Sequence, residues 1–135
     1  MKKHLAIFTK DAIDRIFAGL KTVEIRFSQK RIPPFGVVNI GDLVYIKPPG
    51  QEIVGQFLIK QVISFEGLGK DEWQMFKQNY GQKLSFGSQT KMQEFFEKRK
   101  LAKFATLIFM DQVEQFITSP VKIKKSDLRG WMILG

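Results

Sequence analysis

A chain of 135 residues with 44% apolar content and thirteen Phe is long enough to bury one real core, so a single domain spanning 1–135 is the simplest division. With no cysteine, disulfides, cysteine-ligated zinc and a thiol nucleophile are excluded; a single histidine argues against a histidine-rich metal site or a Ser-His-Asp triad. The 22 Lys and Arg against 13 Asp and Glu leave a net charge of +9, which favours a polyanion (RNA, DNA or an acidic membrane surface) or serves solubility alone.

Met1-Lys2-Lys3 precedes only six residues of strand-like sequence, too few for a signal-peptide core. No run reaches the length of a membrane-spanning helix, so a soluble cytoplasmic protein, acting as a monomer, is expected. His4 opens the first strand as a solvated or half-packed side chain, and Leu5-Ala6-Ile7-Phe8 continue it as a buried segment. A helix follows: Ala12, Ile13, Ile16, Phe17 and Leu20 recur at helical spacing, Asp11 stands where a cap is needed, and Gly19 suits the left-handed residue after the helix. From Thr22 to Phe27 the period becomes two. Val23, Ile25 and Phe27 then face the core, while Thr22, Glu24 and Arg26 face the other way, with the Cα atoms of Glu24 and Arg26 roughly 6 to 7 Å apart. Ser28 to Arg31 and the breaker Pro33-Pro34-Phe35-Gly36 make an exposed loop that carries Lys30 and Arg31 to the border of that surface.

Val37 to Ile40 lead into a turn at Gly41-Asp42. Leu43 to Lys47 form the next strand, stopped by Pro48-Pro49-Gly50. A long strand pattern runs from Ile53 to Phe65, with a bulge expected at Gly55. The two strands form an antiparallel meander. Lys70 to Asn79 read as a helix with Trp73, Phe76 and Tyr80 on one side, and 81–87 as a loop. Ser88 caps another helix that presents Met92, Phe95 and Phe96. Lys98-Arg99-Lys100 in its last turn suit the negative end of the helix dipole as well as a phosphate. Phe104 to Met110 have the continuous apolarity of a central strand. Val121 to Lys124 alternate, Ser126-Asp127 turn the chain, and Trp131 to Leu134 supply a last strand. The sum is an α+β fold, a small, mixed, mostly antiparallel β-barrel with about three helices bordering a cleft; closure removes exposed edges.

The stretch Gly19-Leu20-Lys21-Thr22-Val23-Glu24-Ile25-Arg26 gathers Lys21, Glu24 and Arg26 onto one small surface. An ordinary exposed ion pair is the plain reading of such residues. The spacing Gly-x-Lys-x-x-Glu-x-Arg, after an amphipathic helix and opening a strand, resembles the signature of the ASCH domains (activating-signal-cointegrator homology), small members of the PUA-like barrel superfamily. The likeness extends loosely to Gly41-Asp42 and to the late apolar strand, and it implies a barrel whose helices border a cleft beside the signature.

Arg26 can hold a phosphate through two donors, Lys21 supplies a compact second charge, and an ionised Glu24 can accept from the amino edge of a base. That set suits an RNA or nucleotide reader, with Lys30 and Arg31 beside it and Trp73 and Tyr80 as stacking platforms; core packing is the other reading of both aromatics. No cofactor, metal or membrane is expected. The resemblance also brings in relatives that hydrolyse N-acetylated cytidine with a Lys, a Thr nucleophile and a distal Glu. Lys21 would match the Lys, but Glu24 occupies the nucleophile's place, Thr22 is out of register, and 77–86 contain no acid. In an enzyme Lys21 and Glu24 would be the catalytic pair; a ribonuclease, or a non-catalytic accessory of translation whose signature serves only the barrel, are further readings.

Overall fold

The computed structural model describes residues 1–119 and 129–135, so the alternation at 121–124 and the turn at Ser126-Asp127 lie outside the described residues. The elements are β1 (Lys3–Ile7), α1 (Lys10–Phe17), β2 (Val23–Ser28), β3 (Leu43–Lys47), β4 (Gly55–Glu66), α2 (Lys70–Leu84), α3 (Gln89–Lys98), β5 (Phe104–Gln115) and β6 (Trp131–Ile133). Six strands form one sheet in the order β2-β5-β4-β3-β1-β6. Among the described residues only β1 and β3 pair in parallel; the other neighbours are antiparallel. The sheet is a half-barrel and the fold is α+β.

Each face of the sheet has its own core. One holds Phe8, Val44, Ile46, Phe57, Ile59, Ile108 and Trp131, and α1 buries Ile13 and Ile16 in it. The other is where Val23, Ile25, Ala105 and Leu107 meet Phe76 and Leu84 of α2 and Phe96 of α3. The period-two reading of β2 therefore holds, but its polar side is no open surface: Glu24 is 8% exposed and Lys21 6%. Ionisable groups in such a place need partners.

Several boundaries differ from the sequence reading, each for a local reason. The cap of α1 is Thr9, whose hydroxyl accepts the Ala12 N–H at 3.2 Å; Asp11 sits in the first turn and pairs with Arg15 at 3.1 Å. Helix α2 runs through Gly81 to Leu84. A Cβ on Gly81 would lie 3.1 Å from the Met92 sulfur, so the glycine is where α3 passes close to α2. Gly55 is also a close approach: a Cβ there would stand 2.5 Å from the Glu114 carbonyl oxygen and 2.7 Å from the Phe17 ring. The register shifts of β4 fall beside it, between Gln56 and Leu58 and between Ile59 and Gln61. Strand β5 continues to Gln115 through polar residues that pair with β4.

His4 is neither solvated nor half-packed. It is fully buried, with Nε2 2.8 Å from Asp42 Oδ2, and its Nδ1 accepts the Trp131 indole N–H at 3.2 Å. Indole only donates, so Nδ1 is the acceptor and Nε2 carries the proton toward Asp42. Asp42 also accepts the Lys2 and Asn39 N–H groups. Burial works against its ionisation, but these hydrogen bonds, His4's first, hold its carboxyl below the ordinary value. The network fastens β6 to β1 and to the turn before β3.

Candidate functional site

The signature is assembled by two chain ends meeting. After α1, Gly19 takes φ +76°, and the N–H groups of Leu20 and Lys21 both return to the Arg15 carbonyl. The chain then enters β2, with the Thr22 N–H on the Lys83 carbonyl at 3.0 Å. Helix α2 stops there on Ser85, a left-handed residue at φ +56°. Lys21 Nζ donates to the Leu84 carbonyl at 2.9 Å, a cation on the last carbonyls of a helix. It donates also to the Val23 carbonyl at 3.0 Å and lies 3.2 Å from Glu24 Oε1. An ammonium has three protons, and here all three are engaged.

Glu24 is equally committed. Oε1 accepts the Ile25 N–H at 3.0 Å as well as Lys21; Oε2 accepts Arg26 Nε at 3.0 Å and has Arg26 Nη2 at 3.0 Å. Burial alone would push this carboxyl up, but the charges of Lys21 and Arg26, with the hydrogen bonds from Lys21 and the Ile25 N–H, outweigh it and hold Glu24 below its ordinary value. Arg26 also reaches across the seam of the half-barrel. Nη2 donates to the Ile7 carbonyl at 2.8 Å and Nη1 to the Gly130 carbonyl at 3.2 Å. Its guanidinium lies 4.8 Å from the Phe8 ring and 5.4 Å from that of Trp131. Among the described residues no backbone ladder joins β2 to β1 or β6, so this side chain bridges the two ends of the sheet.

Lys21, Glu24 and Arg26 floor a cleft of about 600 Å³. Phe8 and Thr9 line one wall, Ser85, Phe86 and Phe95 the other, and Lys91, Lys98 and Arg99 bring cations from α3 and its end. Arg99 donates to the Phe95 carbonyl at 3.0 Å, with its guanidinium 3.8 Å from the Phe95 ring centre. Burial lowers the Arg99 pKa, while Glu24 opposes that shift and Arg26 adds to it. Lys91 and Lys98 are exposed.

The sequence-derived candidates divide. Lys21, Glu24 and Arg26 come together on the cleft floor. Lys30 and Arg31 do not line the cleft; Arg31 is exposed, pairs with Glu66 and stands over the rings of Phe35 and Phe104. Trp73 and Tyr80 belong to the core on the other face, Trp73 stacked on Phe27 at 5.0 Å and Tyr80 edge-on to Phe109. The lining residues that motif reading missed, Phe86, Phe95 and Lys91, belong to α3 and the turn before it. Their signal was weak, because Phe95 and Phe96 both read as core and only one is fully buried. Among the described residues no group of three His, Cys, Asp or Glu side chains could hold a metal ion, and no helix is long and apolar enough to cross a membrane.

No protein-family model matches this sequence, and no curated protein matches it. Solved structures do. An ASCH protein from Zymomonas mobilis superposes with a TM-score of 0.61 at 16% identity, over 84% of this chain and 70% of that one. A single-substitution variant of the same protein gives 0.60 at 19% identity, over 84% and 70%. A protein described only as hypothetical gives 0.56 at 15% identity, over 86% of this chain and all of the other. At such identities the likeness speaks for architecture, and that architecture, with its helices and half-barrel around the Lys21–Glu24–Arg26 cleft, is the fold of an ASCH domain.

Proposed function

We propose that this chain is an RNA- or nucleotide-binding ASCH-type module and that the cleft over the signature is its binding site. The observation that carries the reading is the makeup of the cleft. A buried, charge-satisfied floor lies beneath two exposed lysines and an arginine–phenylalanine stack. Single-strand binders combine these elements, cations for the backbone and π-faces for the bases. In this reading Lys91, Lys98 and Arg99 meet phosphate, Phe95 and Phe86 offer faces to a base, and the signature holds the walls in place. Lys21 and Glu24 act chiefly as positioning residues, because their hydrogen-bonding capacity is spent on each other and on the backbone. Arg26 keeps one Nη1 proton for a ligand.

The hydrolase reading asks for a free lysine and a hydroxyl nucleophile at the signature. The Lys21 ammonium is fully engaged, Glu24 occupies the nucleophile's place, and Thr22 is exposed and outside the cleft lining. Binding without catalysis therefore has the better support.

The test is a salt titration of affinity for short single-stranded RNA, comparing wild type with Lys91→Ala/Lys98→Ala. Loss of two phosphate contacts should weaken binding and flatten the log–log salt slope by about 1.4. A slope unchanged in the double variant, or no binding at low salt, would overturn the assignment of this cleft.

A further inference from the structure

The two sets of residues that single-strand recognition would use, the cationic cleft and the aromatic Trp73, lie on opposite sides of α3. A second, more open groove of about 770 Å³ runs between α2 and α3, lined by Trp73, Lys77, Phe96, Glu97 and Lys100. Lys98 and Glu94 line both concavities. Helix α3 is thus a low wall between them, and Lys98 stands on its crest. Lys91 precedes Lys98 by seven residues, two turns, which puts their Cα atoms roughly 10 Å apart along one side of the helix. In the groove, Lys77 lies 5.6 Å from the Phe96 ring, while Lys100 is tied to Glu97 at 2.8 Å. Trp73 is half-buried; Phe27 stacks against it, and the remainder of the side chain lines the groove.

We propose that the ligand is a single-stranded oligonucleotide whose backbone leaves the signature cleft over Lys98 and continues into the α2–α3 groove. The inference rests on the RNA reading of the cleft and goes beyond it in ligand size and path. One nucleotide fills only the first concavity. A strand several nucleotides long meets Lys91 and Lys98 in turn, then Lys77, and lays a base against Trp73. Three cations and an aromatic along one path suit a flexible anionic strand, whereas a rigid duplex cannot follow a path over a helix.

The experiment measures affinity for a mononucleotide and for uridine oligomers of increasing length, with wild type, Lys77→Ala and Trp73→Phe. Affinity should rise with length until the strand spans both concavities, the salt slope steepening by about 0.7 for each added phosphate contact. Lys77→Ala, an exposed change, should weaken the longer oligomers severalfold and leave the mononucleotide untouched. Trp73→Phe should remove the fluorescence quench that long oligomers produce and short ones do not. Affinity independent of length, or an equal effect of Lys77→Ala on mononucleotide and oligomer, would overturn the path while leaving the cleft assignment standing. Failure of every ligand to bind at low salt would overturn both.

Discussion

Glu24 carries two cations and a backbone N–H on one carboxylate while only 8% of the residue remains exposed. Replacing it by Gln leaves Lys21 and Arg26 facing each other without the charge that reconciles them. Removal of one partner from a buried ion pair costs about 3–5 kcal/mol, so Glu24→Gln should lower the urea midpoint strongly. Asp11→Asn, which breaks the exposed pair with Arg15, should cost about 1 kcal/mol or less. The pH dependence has a definite sign. Glu24 titrates in the folded protein below its ordinary value of 4.5, so the unfolded chain binds the proton first. The stabilisation is complete above that value, shrinks as the pH drops beneath it, and is lost once the folded carboxyl protonates. Denaturation midpoints of wild type should thus hold steady from neutrality to about pH 5 and fall below it, and Glu24→Gln should flatten that fall. The proximity of Lys21, Glu24 and Arg26 was legible in the chain because strand alternation and a helix–strand corner are local. Their saturation was not, because the Leu84, Ile7 and Gly130 carbonyls that complete it come from three distant segments.

At the scale of elements, the helices were found by their apolar spacing and misjudged only at their ends. Thr9, not Asp11, caps α1, since the hydroxyl three residues before Ala12 reaches its N–H. Thr9→Ala should cost about 1 kcal/mol of stability by losing that bond. Gly81 misled for a different reason: a glycine reads as a breaker, yet here it leaves room for Met92 inside a continuing helix. Gly55 shows how a close approach differs from a bulge. A methyl group there meets a strand carbonyl that cannot yield without disturbing the β4–β5 ladder. Gly55→Ala should therefore destabilise by about 1–3 kcal/mol, as overpacking does, even though alanine is compatible with the strand. Trp73 and Tyr80 illustrate the limit of helical spacing, which places aromatics on one side of α2 and cannot say whether that side meets a cleft or a sheet. The sheet took most of it, because Val23, Ile25 and Phe27 needed a cover, and only part of Trp73 is left to the α2–α3 groove.

For the molecule as a whole, the α+β class, the antiparallel meander of β3 and β4 and the insertion of helices after the first and fourth strands could be read from turn residues and period. The order β2-β5-β4-β3-β1-β6 could not, since it depends on pairings between residues far apart in the chain. Nor could the role of the only histidine, whose partners Asp42 and Trp131 stand 38 and 127 residues away. A chain ended at Ser119 lacks Trp131, which is 2% exposed in the core, along with the strand that pairs with β1. It should show no cooperative thermal transition by circular dichroism; a sharp transition near that of the full chain would contradict the importance assigned to β6. The Arg26 clasp adds a temporal consequence. Its bond to the Gly130 carbonyl closes a loop of 104 residues, the kind of distant contact whose chain entropy must be met late. A chain emerging from a ribosome cannot pair β2 until β5, residues 104–115, has been made, and it cannot secure the seam beside the cleft until residue 130 follows. The half-finished protein holds the signature and lacks the vessel, so competence to bind should arrive in one step, once residue 130 is in place.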